Sequence, residues 1–327
     1  MFDFLTDNPM VIEARAATRK PRGFVIFLLL FFLVRTLCNA VASVPILMYT
    51  YYRLFRILGL EFFLGAAMEN MEEQLERMTE ATEAVMAEEG YFLVSLFSQL
   101  AVILLVVLYC RFFERRSLSS MGLALSGRGV LGYAKGILCG GLLASLSVLI
   151  LYVTGAITLT AGKFTVGMLI LYFFGFMIQG AAEEVLLRGY FMVSVTHLTH
   201  PGVAVVASAI FFSLMHNANP GITFLGFFNI FLFGLFLGLL TFRTGNLFMA
   251  CALHGVWNFM TGNVYGLSVS GLGHGASILV GTAVPDRALT NGGAFGPEGG
   301  AVVTVVLLVA LAVLLLASPQ KAKAAEA

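Results

Sequence analysis

The chain has 327 residues, of which 59% are hydrophobic and 11% charged, and its mean hydropathy is +0.93. A soluble domain carries about 25% charged residues, so too little charge is present to cover a globule in water. With 19 basic against 18 acidic residues the net charge is +1, and no global field recruits a polyanion. A soluble enzyme, a disordered tail protein and a nucleic-acid binder are excluded; an all-α polytopic membrane protein is expected.

In chain order, residues 1–23 form a basic segment, and apolar stretches able to span a bilayer follow near 24–48, 91–110, 130–153, 164–195, 203–217, 222–242, 246–262 and 300–317. A span needs about 20 mostly apolar residues, which predicts a bundle of eight transmembrane helices. Ala40-Val41-Ala42 resembles a signal-peptidase site, but it lies inside a run long enough to span, so the first helix is read as retained. Arg15, Arg19, Lys20 and Arg22, then Arg111, Arg115, Arg116, Arg128 and Lys135, then Arg243, and finally Lys321 and Lys323 all fall on one side of this count. Basic residues accumulate in the cytoplasm, so both termini are expected there.

On the opposite side, residues 61–89 hold nine glutamates, with Met71, Leu75, Met78 and Val85 spaced as one helical face. This reads as a solvated acidic helix lying on its neighbours. Residues 263–299 are rich in glycine and read as a long external loop before a last span and tail at 300–327. Spans within 24–153 look accessory, and 164–262 is the expected functional core. The four cysteines, Cys38, Cys110, Cys139 and Cys251, form no CxxC pair and act as small hydrophobes.

Ionisable groups in membrane helices cost about 2.5–3.5 kcal/mol each at the helix centre and by default mark function. Three clusters qualify: Glu183-Glu184-Val185-Leu186-Leu187-Arg188, Phe212-Ser213-Leu214-Met215-His216 and His254-Gly255-Val256-Trp257-Asn258. Counted from the two turns at 196–202 and 243–245, Glu183, His216, His254 and Asn258 reach about 18, 20, 12 and 18 Å into the bundle at 1.5 Å per residue. A segment of about 32 residues ending at 195 is too long for an upright span, so a tilt or a bend near Gly175 or Gly180 is expected.

One carboxylate, two imidazoles and one carboxamide at similar depth suggest hydrolysis. Glu183 is the expected general base, a histidine can hand a proton to a leaving amine, and the other histidine with Asn258 can donate to an oxyanion. Glu184 and Arg188, one turn apart and opposite in sign, read as a supporting pair. Phe212 is expected to pack on the His216 ring, and Trp257 to wall the pocket. His197, His200 and His274 lie in loops and are given no specific role. Two histidines and a glutamate also make a familiar zinc set with one open position, though no compact HExxH is present. Zinc-bound water and glutamate-activated water both stay open.

EEVLLRG at 183–189, FSLMH at 212–216 and HGVWN at 254–258 resemble, in order, the EExxxR, FxxxH and HxxxN motifs of the CAAX protease and bacteriocin-processing family, formerly Abi, which includes type II CAAX prenyl endopeptidases. The connector Asn219-Pro220-Gly221 and the stretch from Phe233-Gly234 to Asn246 are also similar. The resemblance covers roughly 164–262. It implies an eight-helix bundle with a polar cavity open to the cytoplasm and the membrane. The motif residues are then Glu183, Glu184, Arg188, His216, His254 and Asn258. A metalloprotease or a glutamate protease acting on a membrane-embedded or lipidated polypeptide is implied, in a prokaryotic inner membrane. The competing readings are a non-catalytic scaffold that holds a partner's transmembrane helix and, more remotely, a small-solute transporter, against which the lack of paired repeats counts.

Overall fold

The computed structural model describes residues 3–17, 23–63, 71–124, 127–273 and 275–317, with only the backbone of Arg128. Eight apolar helices occupy the eight expected places: α1 (Phe24–Leu58), α2 (Glu89–Phe112), α3 (Gly127–Val153), α4 (Val166–Val195), α5 (Pro201–Met215), α6 (Phe224–Thr244), α7 (Phe248–Phe259) and α8 (Ala301–Leu316). Five of them, α1 to α4 and α6, are long and apolar enough to cross a membrane; α5 and α8 are apolar but shorter. The chain is therefore a multi-pass membrane protein, with five spans rather than eight meeting the length criterion among the described residues. Of the basic residues used for orientation, Arg19, Lys20, Arg22, Lys321 and Lys323 lie outside the described residues, as do His274 and Glu69.

At 35 residues α1 is about 52 Å long, well beyond the roughly 30 Å of a hydrocarbon core. Its last turns carry the acidic segment. Arg53 pairs with Glu88 at 2.6 Å, and Tyr49 donates to the same carboxylate at 2.6 Å. The helix Met71–Met86 lies against this end through Ala81 and Val85, which pack on Leu54. The expected face is only half correct: Met78 and Val85 turn inward, while Met71 and Leu75 are exposed at 84% and 67%. At the opposite end the N-terminal segment is folded, not merely basic. Pro9–Ala16 buries Met10, Val11 and Ala14, and Asn8 donates to the Phe242 carbonyl at the end of α6.

The irregularity of α4 is not where glycine suggested. Gly175 and Gly180 lie in regular helix, and the backbone instead widens into a π-helix at Val185–Met192. Neighbouring side chains take carbonyls that a strict i→i−4 ladder would use. Arg116 donates to Gly189 O at 2.8 Å and Ser208 to Leu187 O at 3.2 Å, which fits the insertion of foreign donors as a cause of helix distortion. Arg116 is itself buried and also reaches Glu114, Ser194 and Ser120. Burial pushes the Glu114 carboxyl up from its ordinary value, and the Arg116 guanidinium opposes that shift.

Residues 263–299 do not form the loose loop expected from their glycine content. After a π-turn at Met260–Val264, β2 (Leu279–Ala283) pairs antiparallel with β1 (Ile157–Ala161), Ile157 opposite Ala283, so the otherwise helical fold contains one two-stranded sheet. Asn291, Phe295 and Glu298 are buried, and Asn229 of α6 donates to the Glu298 and Gly300 carbonyls at 2.8 and 2.9 Å. Protein groups thus satisfy the non-helical backbone of this segment. Glycine is needed here for close approach: at Gly292, φ is +83° and a Cβ would stand 1.8 Å from Gly296 O.

The core helix α7 is held by backbone contact. A Cβ on Gly136 or Gly140 of α3 would fall 2.4 Å from Met249 O or Leu253 O, and one on Gly180 of α4 would fall 2.7 Å from Gly255 N. Small residues are what let membrane helices approach so closely, since apolar surface gains nothing by leaving lipid. Gly140→Ala should lower the unfolding midpoint in detergent, with an overpacking cost of about 1–3 kcal/mol. Gly167→Ala, where a Cβ meets nothing within 4 Å, should leave the midpoint unchanged.

Candidate functional site

Helix α3 gives a ruler for depth. Gly140, which touches Leu253, lies thirteen residues from either end of α3, about 20 Å each way. His254 therefore sits beside the midpoint of α3. The Gly180–Gly255 contact brings α4 against the same turn of α7, and α5 ends there, with His216 as its C-cap residue.

Glu183, His216 and His254 converge. Glu183 Oε2 lies 4.0 Å from His216 Nε2 and 3.9 Å from His254 Nε2. Both distances exceed direct hydrogen bonds and lie in the range where a water between the groups has to be considered. Glu183 Oε2 is buried without a hydrogen-bond partner. The other ring nitrogens are engaged: His216 Nδ1 donates to Phe212 O at 2.8 Å, and His254 Nδ1 to Glu184 Oε1 at 3.0 Å. With Phe212 O and a Glu184 carboxylate as acceptors, a ring in its neutral form holds its proton on Nδ1 and turns its Nε2 lone pair to the gap.

Glu184 and Arg188 are fully buried and paired at 2.8 Å. The pair is more than mutual neutralisation, because Glu184 Oε1 also fixes the His254 ring. Arg188 donates to Gly234 O at 3.0 Å and lies over the Phe212 ring, 4.6 Å from its centre. Phe212 packs on His216 at 4.7 Å, as expected, and stands edge-on to His254 at 5.7 Å, while Phe233 closes the other side of His254 at 5.4 Å. Trp257 does not wall this gap. It stacks behind Phe233 and donates to Glu298 Oε1 at 2.8 Å.

Asn258 joins the cluster at one remove. Its Nδ2 donates to Gln179 Oε1 at 2.9 Å, and Gln179 Nε2 donates to Glu183 Oε1. Sequence reading missed Gln179, although a carboxamide one turn before Glu183 in an apolar helix is a usable signal. Gln179, Glu183 and His216 are partly exposed whereas His254 and Asn258 are buried, so the gap opens between α4 and the end of α5. Of the loop histidines, His200 has a role after all: it is the N-cap of α5, accepting from Gly202 N at 3.1 Å.

The donor types suit zinc, but the spacing does not. Zinc at about 2.1 Å from each donor sets tetrahedral edges near 3.4 Å, shorter than the 3.9 and 4.0 Å observed. Among the described residues no group of three or more His, Cys, Asp or Glu is drawn together closely enough to hold a metal ion.

Replacing Arg188 by Met should cost about 3–5 kcal/mol, the penalty for leaving a buried partner uncompensated. Unfolding in detergent should show it as a marked loss of stability, and an unchanged midpoint would contradict the pairing.

No curated protein and no solved structure matches the chain. Residues 165–260 match the family model described as type II CAAX prenyl endopeptidase Rce1-like. That stretch runs from the start of α4 past Asn258 and so contains every group around the gap. Over that stretch, less than a third of its length, the chain is similar to the type II CAAX prenyl endopeptidase Rce1-like family.

Proposed function

We propose that the chain is an intramembrane endopeptidase that hydrolyses a peptide bond in a membrane-associated or lipidated polypeptide. One observation carries the reading: Glu183 Oε2, buried without a partner, stands 4.0 Å from His216 Nε2 and 3.9 Å from His254 Nε2. A single water has two protons and satisfies two of the three acceptors. In the proposed scheme one of the three groups carries a proton of its own. The site then holds a nucleophile, a base and an acid together, the set that amide hydrolysis requires.

In this scheme Glu183 Oε2 takes a proton from the trapped water as its oxygen adds to the scissile carbonyl carbon. The developing oxyanion is met by an Nε2–H donor in a water-poor site, where such a donor acts most strongly. As the C–N bond breaks, the departing nitrogen receives the proton from an imidazolium or from the Glu183 carboxyl. His254 is the better-fixed ring, held by Glu184 and between Phe212 and Phe233. His216, more exposed, stands at the mouth where a leaving segment departs. Asn258, expected as an oxyanion donor, is turned toward Gln179. The scheme routes no step through a metal.

Arg111, Arg115 and Arg116 follow α2, Arg243 lies in the last turn of α6 and Arg15 donates to Thr196 O just before α5, while Arg53, Arg56 and Arg77 lie at the acidic end; the first group supports the proposal that its face is cytoplasmic in a prokaryotic inner membrane.

Membrane-protein termini should be compared between host cells carrying the wild type and cells carrying Glu183→Gln. A set of cleaved termini should vanish with the variant, while the variant still accumulates folded in the membrane. Identical termini in both strains would leave a scaffold that holds a partner helix. Purified wild-type protein should contain no stoichiometric zinc and should keep its cleavage after chelation; zinc at one per chain, with activity lost on its removal, would contradict the metal-free scheme.

A further inference from the structure

We infer that Gln179 is a positioning residue, and that Asn258 acts on the chemistry through it. The inference rests on reading Glu183 as the base. A carboxylate only accepts hydrogen bonds, so the Gln179 amide must turn its nitrogen to Glu183 Oε1. Its oxygen then faces α7 and must receive an N–H, which Asn258 Nδ2 supplies at 2.9 Å. The chain of donation runs one way, from Asn258 through Gln179 to Glu183, which also settles both amide orientations.

Two consequences follow for the base. Glu183 Oε1 is occupied, so Oε2, buried and without a partner, is left as the atom that faces both imidazoles. The carboxyl plane is fixed by a donor one turn away on the same helix, and that donor is fixed in turn by α7. The backbone supports this independently of the side chains. Gln179 precedes Gly180, whose Cβ would meet Gly255 N at 2.7 Å, and Asn258 follows Gly255 by three residues on the same helix. The backbone contacts that glycine permits between α4 and α7, Gly180 on Gly255 and Gly255 on Phe176 and Met177, therefore lie within one turn of the place where the two amides meet. Asn258 thereby polarises and orients Gln179.

The test does not need a known substrate. In purified wild-type protein the infrared carboxyl band of Glu183 is assigned by its loss in Glu183→Gln. Asn258→Ala should shift this band, Gln179→Leu should shift it further, and adding Asn258→Ala to Gln179→Leu should produce no additional shift. An Asn258→Ala shift of equal size in both backgrounds, or a band unmoved by Gln179→Leu, would overturn the assignment. Gln179→Met serves as the second variant if Gln179→Leu fails to fold. In the comparison of membrane termini, Gln179→Leu and the double variant should lose cleavage equally, by up to about 100-fold, as expected when a reacting group is misplaced by an ångström. Unequal losses that multiply would count against coupling, whereas cleavage surviving in Glu183→Gln would defeat the functional reading itself and leave the infrared result standing.

Discussion

The constraint on which the molecule depends is the close approach of α7 to α3 and α4. Gly136 and Gly140 admit the α7 backbone from one side, and Gly180 with Gly255 admits it from the other. In lipid no hydrophobic gain drives helices together, so contact must come from packing without side-chain interference. Three-helix contact at the midpoint of α3 puts His254 next to Glu184, and hence its Nε2 across the gap from Glu183. A methyl group at any of these glycines would separate the helices by more than the hydrogen bonds around the gap tolerate.

The second organising element is the π-helix after Glu184. It changes the register of α4 immediately below the two glutamates, so that Glu183 faces the gap while Arg188 folds back on Glu184 and Phe212. Its distortion is held from outside by Arg116 and Ser208. The folded layer at 263–299 does for the far end what Arg116 does for the near one. Glu298 in that layer anchors Trp257 and, through Phe233, backs the His254 ring. Groups distant in sequence thus bear on one imidazole.

Much of this was legible in the chain itself, and the exceptions share a cause. Glu183, His216 and His254 stood out because ionisable groups are costly in apolar helices, and simple rise arithmetic placed the first two at nearly the same depth, with His254 about a turn shallower. The positions of the eight helices followed from apolar run length, although α5, α7 and α8 prove too short to be counted as spans on length alone. Gln179 was missed because it lies outside the three clusters that were singled out. The π-helix could not be read from Val185–Met192, since the donors that hold it lie on other elements. The glycines of 263–299 looked like loop glycines, whereas several serve backbone contacts that composition cannot distinguish from freedom. Trp257 shares a helix with His254 but points to another partner, a matter of which face is presented rather than of spacing.

The central claim is that a carboxylate oxygen and two imidazole nitrogens share one water inside the membrane bundle. A cryo-electron microscopy map of the full chain in lipid nanodiscs, at a resolution that shows ordered solvent, tests it most directly. The account predicts one solvent peak within hydrogen-bonding distance of Glu183 Oε2 and of His216 and His254 Nε2, with Gln179 on Oε1. A Glu183 side chain turned to lipid, or a peak bound at metal-ligand distances with the three donors drawn in around it, would contradict it.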